Sequence, residues 1–489
     1  MSASGVTDVR IAIIGAGFGG VCVALKLAAA GHREFILFDA NPDVGGTWWA
    51  NTYPGAACDA PSHVYSYSFA QTTDWTRRFA PGPEIQRYLR RCVDEAGIAD
   101  HLRLGVTVES VRWTGAQWSL LLADGAEVTA DVVVGATGQL NVPGYPSIPG
   151  LDEFGGPRMH TARWRHDVDL AGRRVAVVGT GASAVQVIPA IADTVGELVV
   201  FQRSAPYVFD KPDAAYGERL HRTYRLFPVL RSIARGGIWW TFEAFGVFFW
   251  KWPRLMRPLE RVHARALARR GLDEATRAGL TPDHRLGCKR ILISSEYHDA
   301  FARGNVTLVT EPIAEFSTTG LSTATAHHEV DVIIHATGFR TAHLGTLTVT
   351  GVDGIDLAQT WDGGALAHLG VAVPGFPNLF LVYGPNTNLG TGSITFMLEA
   401  QADHIVAAVS RLDRTPGTAM EVTATALERW RTELAERQSN SVWQSGCSNW
   451  YLDAHGHDTH NWPGFMTRYA SMVRTPRDAD YRMVPIRSA

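Results

Sequence analysis

Arg10-Ile11-Ala12-Ile13-Ile14-Gly15-Ala16-Gly17-Phe18-Gly19-Gly20 decides the fold. A short apolar run breaks into glycines. A helical pattern follows from Val21 to Ala30, stopped by Gly31, and then a second apolar run from Phe35 to Phe38 ends at Asp39. Glycines at such a turn let the chain reverse tightly, and they let helix-start N–H groups approach a pyrophosphate with no Cβ in the way. The same design returns as Arg174 to Val178, Gly179-Thr180-Gly181-Ala182-Ser183-Ala184, a helix that Pro189 should interrupt, and a strand from Leu198 to Phe201 ending near Arg203. Beyond each unit a strand closes on Ala-Thr-Gly, at 136–138 and at 336–338. The repeat predicts an α/β fold with two Rossmann-like dinucleotide-binding domains.

The residue ending the second strand of each unit discriminates between ligands. Asp39 lies nineteen residues after Gly20, and Arg203 nineteen after Ala184. A carboxylate there accepts hydrogen bonds from ribose hydroxyls, whereas a guanidinium pairs with a 2′-phosphate. The first half should therefore hold FAD and the second NADPH. Two such sites imply hydride transfer from nicotinamide to flavin. No CxxC pair occurs to carry electrons onward as in a disulfide reductase. Molecular oxygen is then the leading acceptor, with oxidase or quinone reductase chemistry as alternatives.

Composition narrows the class further. A chain of 489 residues, 46% hydrophobic and 19% charged, suits a globular protein with large cores and excludes a small disulfide-stapled scaffold. A net charge of −3, without a long run of one sign, argues against nucleic-acid binding. Five scattered cysteines, Cys22, Cys58, Cys92, Cys288 and Cys447, suit a reducing compartment. Only ten residues precede the apolar run at Ile11, so a secretory signal is not expected and a cytoplasmic location is. The stretch from Gly237 to Trp250 contains Glu243 and is too short for a spanning helix, which needs about 20 apolar residues. It reads as a buried or interfacial helix, its aromatic side chains facing a core rather than a substrate.

Phe154-Gly155-Gly156-Pro157-Arg158-Met159-His160-Thr161-Ala162-Arg163-Trp164 fits FxGxxxHxxxW just before the second glycine turn. This resembles the fingerprint of type I Baeyer–Villiger monooxygenases, the flavoenzymes that convert ketones into esters or lactones. Arg165 stands where the family pattern continues with Pro or Asp. Four further segments resemble the same family. Gly45-Gly46-Thr47-Trp48, with Tyr53-Pro54-Gly55 and Cys58-Asp59, is similar to the loop that wraps the flavin and presents an aspartate. Cys288-Lys289-Arg290 is similar to the segment with a phosphate-binding lysine and the catalytic arginine, and Ala336 to Phe339 and Gly384 to Asn388 resemble late stretches that return to the flavin domain.

The resemblance implies oxygen addition at flavin C4a, giving a peroxide anion that Arg290 stabilises with Asp59 balancing the guanidinium. It implies further that Lys289 joins Arg203 at the 2′-phosphate. Lying in the linker before the second nucleotide unit, the motif residues Phe154, Gly156, His160 and Trp164 read as a hinge, with Trp164 as linker packing. The expected partners are a ketone and O2. Heteroatom oxygenation to N-oxides or sulfoxides is the near alternative, and a flavoprotein reductase with a non-oxygen acceptor the distant one. The expected division is an FAD-binding part over 1–145, an NADPH-binding part over 146–209, a helical insertion over 210–286, a second NADPH-binding part over 287–341 and a second FAD-binding part over 342–489. His455, His457 and His460 lie in a Gly/Asp/Asn-rich stretch without metal-ligand spacing, so no metal is expected.

Overall fold

A computed structural model describes residues 7–341, 343–447, 449–453 and 455–486. Residues 1–6 and 487–489, at the ends of the expected FAD-binding parts, and 342, at an expected boundary, lie outside it. The first unit consists of β1 (Thr7–Ile14), α1 (Phe18–Ala29) and β2 (Phe35–Asp39). Ile11, Ala12 and Ile13 of β1 are fully buried. Burial on both faces is what a central parallel strand requires. Accordingly β1 pairs in parallel with β2, and on its other side with a later strand, placing Ile13 opposite both Leu37 and Val134.

The sheet continues through β3 (Leu102–Leu104) beyond β2, and through β4 (Val108–Trp113), β5 (Trp118–Leu122) and β6 (Glu127–Gly135) on the other side. Gly20 shows why the turn must be glycine-rich. A Cβ there would lie 1.8 Å from the Gly15 carbonyl oxygen, so α1 can sit on its turn only without one.

The second sheet begins with β7 (Arg158–His160) and β8 (Arg174–Val178), followed by α2 (Ala182–Ile191) and β9 (Glu197–Phe201). Two expectations are corrected here. The stretch carrying His160 is an edge strand, not only linker, because Met159 and His160 pair with Ile334 and His335 of the second sheet. Pro189 does not interrupt α2: it removes one i→i−4 hydrogen bond, but the helix runs past it to end two residues later at Ile191.

After β9 the chain forms α3 (Glu218–Leu226), α4 (Pro228–Trp250) and α5 (Arg257–Ala268). It then returns to the sheet as β10 (Val306–Val309) and β11 (Val332–His335). The strand order is β10-β9-β8-β11-β7, all parallel.

The rest of the chain rejoins the first sheet. β12 (Thr348–Thr350) adds to β4, and β13 (Leu379–Leu381) lies beside the end of β6. α6 (Ile394–Asp413) packs on α1 and on α7 (Met466–Val473). Most of the aromatic band packs on a core as expected: Phe249 is buried with Phe245, Phe248 and Trp250 against its cluster, and Trp239 and Phe242 pack on the core of the first half. Trp240, 64% exposed, and Trp252 depart from that expectation.

The cysteine expectation is also corrected. Cys288 and Cys447, 159 residues apart, form a disulfide with their Cα atoms 6.4 Å apart, leaving Cys22, Cys58 and Cys92 free. Sequence spacing could not show this pairing because only the fold brings the two segments together.

Candidate functional site

The first glycine turn and the Gly45-Gly46 loop form one cradle. Gly15 has φ +112°, and a Cβ on it would lie 2.4 Å from the Ala136 carbonyl oxygen. A Cβ on Gly46, at φ +54°, would lie 2.8 Å from Gly17 Cα, so two bare backbones meet there. Gly17 caps α1 without any side-chain bond, so no side chain of the cap occupies the helix-start N–H groups. Such groups, backed by the helix dipole, suit a pyrophosphate. Asp39 also fastens the turn: Ala16 N–H donates to its Oδ2 at 2.6 Å, and Asn41 N–H to its Oδ1 at 2.7 Å. Thr47 and Trp48 open a single helical turn after Gly46, with Trp48 Nε1 donating to the Tyr65 hydroxyl at 3.1 Å.

The second cradle repeats the geometry with different electrostatics. Gly179 has φ +109°, Gly181 caps α2 without a side-chain bond, and a Cβ on Gly181 would meet nothing within 4 Å. Ala184 is fully buried and Ser183 sits in the first turn of α2. Lys289 Nζ donates to Ser204 Oγ at 2.8 Å, beside exposed Arg203. Burial lowers the Lys289 pKa; Asp283 opposes this and the neighbouring Arg203 cation adds to it. Two like charges drawn together beside a helix start suit an anion with more than one negative charge. Both cradles therefore fit dinucleotides.

Arg290 and Asp59 meet across 231 residues of sequence. Arg290 Nε and Nη2 both donate to Asp59 Oδ2, at 3.0 and 2.6 Å, and the Arg290 side chain stays 41% accessible. The carboxylate raises the guanidinium pKa above its ordinary value, against the opposing effect of burial. Tyr451 and Tyr383 also face this cation, and burial pushes the Tyr383 phenol up to about 12. Asp59 follows the glycine loop of the first half, and Arg290 comes from the second.

Other contacts join the halves. Tyr53 Oη donates to Gln186 Oε1 at 2.8 Å, and Gln186 Nε2 donates to the Ala57 carbonyl at 2.8 Å. The crossing segments pair with each other, Phe339 opposite Pro143. His160 is buried against that crossing: its Nε2 lies 2.9 Å from the Gly338 carbonyl, and its Nδ1 accepts from Ala162 N–H at 3.1 Å. Burial depresses its pKa to about 4, which leaves a neutral ring with the proton on Nε2. Phe154 is core, and a Cβ on Gly156 would strike the Asp331 carbonyl at 2.5 Å. Trp164 packs, half-buried, on the second core, while Arg165 pairs at the surface with Asp167 at 2.6 Å.

Sequence reasoning missed Gln186, Tyr383 and Tyr451. Tyr383 lies next to the quoted Gly384 and carries φ +61°, but neither tyrosine stands in a spacing that signals a site. Among the described residues no three His, Cys, Asp or Glu side chains are grouped to hold a metal. His460 instead places Nδ1 3.0 Å from the Tyr451 carbonyl.

Two dinucleotide cradles together with a carboxylate-held arginine that joins the halves define a flavoprotein that works with a nicotinamide cofactor. The model of the pyridine nucleotide-disulphide oxidoreductase family matches residues 9–225. A Baeyer–Villiger monooxygenase of Streptomyces coelicolor is 40% identical over 482 residues, 97% of this chain and 93% of that protein. A solved structure of OTEMO in complex with FAD and NADP superposes with TM-score 0.88 at 26% identity, covering 98% of this chain and 100% of the other. Cyclohexanone monooxygenase from Rhodococcus sp. Phi1, bound to NADP+, also superposes with TM-score 0.88, at 27% identity and with the same coverage. The chain belongs to the Baeyer–Villiger monooxygenases and is a flavoprotein monooxygenase.

Proposed function

We propose that this chain converts a ketone into an ester or lactone, inserting one atom of O2 and consuming NADPH, with FAD held in the first cradle and NADPH in the second. The observation that carries the reading is the Arg290–Asp59 pair, a cation from the second half fixed to a carboxylate of the first with part of its surface open. FAD, reduced by NADPH, supplies activated oxygen. Arg290 supports negative charge developing on the substrate oxygen. A guanidinium cannot lose its proton at any working pH, and two of its five donors already hold it to Asp59, so it needs no reorganisation when charge develops.

Around the first cofactor, Gly15, Gly17 and Gly20 admit the pyrophosphate, Asp39 takes ribose hydroxyls, and Gly46, Thr47 and Trp48 close over it. Around the second, Gly179, Gly181, Ser183 and Ala184 form the turn, with Arg203 and Lys289 on the 2′-phosphate. Phe154, Gly156, His160 and Trp164 form the hinge that sets the second half against the first; the bond from His160 to Gly338 at the crossing supports this. The chain divides functionally into 1–145 and 342–489 for FAD, 146–209 and 287–341 for NADPH, and 210–286 as the helical insertion. A cytoplasmic location, where NADPH is supplied, belongs to the same reading.

The test is aerobic turnover of FAD-loaded protein with cyclic, linear and aromatic ketones and a sulfide, scored by product structure. Esters or lactones one oxygen heavier than the ketone support the reading. Sulfoxide without any ester, or NADPH oxidation without oxygenated product, overturns it.

A further inference from the structure

Fourteen large hydrophobic side chains are exposed among the described residues, and nine of them fall between positions 226 and 262. Scattered singly they would need no explanation, but a contiguous group does. On α4, Leu230, Ile233, Gly237, Trp240 and Ala244 are all exposed, spaced alternately three and four residues apart, so they form one stripe along the helix. That stripe carries no charge. The opposite side of α4 already has its partners: Glu243 accepts the Met466 and Thr467 N–H groups at 2.9 and 3.0 Å, and Phe249 stacks on Trp443 at 6.2 Å. The apolar stripe therefore cannot turn inward without giving up these contacts.

Charge decides what covers it. From 218 to 270, over α3 to α5 and the two residues beyond, the chain carries twelve Lys and Arg against three acids, whereas the whole chain is nearly neutral. Glu243 is engaged at the start of α7 and Glu260 with the Leu286 N–H, while Glu218 pairs with Arg225. Arg219, Arg222, Lys251, Arg254, Arg257 and Arg261 are exposed and interleave with Leu226, Phe227, Trp252 and Leu255. Two copies meeting face to face about a two-fold axis would oppose cation to cation. An anionic headgroup layer accepts the cations while the apolar side chains sink below it, and exposed Trp240 and Trp252 suit the headgroup boundary. Among the described residues no helix is long and apolar enough to cross a membrane, so α4 would lie along the surface.

We propose that α3, α4 and α5 form a face that docks this chain on an anionic lipid bilayer. FAD-loaded full-length protein is mixed with vesicles of phosphatidylcholine alone or with phosphatidylglycerol and then sedimented. The expected result is binding to the mixed vesicles about tenfold or more above binding to phosphatidylcholine alone, weakened by high salt. Ile233→Glu with Trp240→Glu should lower partitioning about tenfold or more while FAD content stays unchanged. Arg254→Gln with Arg257→Gln serves as an independent variant if the first does not retain FAD, and should reduce the preference for the anionic vesicles. No sedimentation with mixed vesicles overturns the proposal, as does undiminished binding by a variant that retains FAD. A dimer in ultracentrifugation that the Ile233→Glu, Trp240→Glu variant dissociates, without vesicle binding, assigns the face to a second copy and overturns it equally.

Discussion

Arg290 keeps most of its donors free because one oxygen of Asp59 accepts from both Nε and Nη2. If it supports charge in the transition state, Arg290→Ala should retain FAD reduction by NADPH yet lower ester formation by about 10²-fold or more, as removing one charge-stabilising donor does. Stopped-flow absorbance follows the reduction and chromatography the ester. Normal ester yield from that variant would refute the role. Arg203 sits at the surface with Lys289 beside it, each pushing the other toward an anionic partner. Arg203→Ala should raise KM for NADPH about tenfold while changing KM for NADH little, since NADH lacks the group that a guanidinium pairs with. Equal effects on the two coenzymes would place the 2′-phosphate elsewhere.

Among the elements, the Gly45-Gly46 loop combines a strained backbone with a close approach to the first glycine turn. Gly46 adopts φ +54° and ψ −115°, a conformation that costs a residue with a Cβ about 1–3 kcal/mol, and its Cβ would press on Gly17 Cα at 2.8 Å. Gly46→Ala should therefore purify with much less bound FAD than the parent, measured as the ratio of flavin to protein absorbance, while the distant second sheet stays folded. Full flavin content would show that the loop can move away from the first turn. Gln186 lies on α2 yet bonds Tyr53 and Ala57 of the other half, so one helix both carries a cofactor cradle and braces the loop beside Asp59.

Over the whole molecule, two features spread across the fold contribute to its stability. The disulfide joins Cys288, next to Lys289 and Arg290, to Cys447 across 159 residues, and a native disulfide typically contributes about 2–4 kcal/mol. Thiol titration of the denatured, unreduced protein should find three free thiols, rising to five after reduction, with a lower melting temperature for Cys288→Ser. Five thiols before reduction would show the pair unformed. Burial holds the histidines His160, His335 and His404 at pKa values of about 4, against 6.5 for an exposed ring. Between those values the unfolded chain binds protons that the folded chain does not. Their contribution is full above about pH 6.5 and is lost as pH falls toward 4, at about 1.4 kcal/mol per pH unit for each fully shifted ring. Melting curves from pH 7 to pH 4 should fall accordingly; a melting temperature unchanged over that range would contradict their neutral burial.

The residues alone determined whatever depends on neighbours along the chain. A glycine turn between an apolar strand and a helix is a local device, so both cradles were legible, as were the opposite charges of Asp39 and Arg203 that follow from strand length. The FxGxxxHxxxW segment was legible as a motif but not as strand β7, because its pairing partner Ile334 lies far along the chain. Only tertiary structure decided the rest. Asp59 and Arg290 were paired beforehand only through the family resemblance; their contact, like that of Gln186 with Tyr53 and Cys288 with Cys447 and like the outward face of α4, depends on which distant segments the two sheets bring together, and spacing along a chain carries no distance through space.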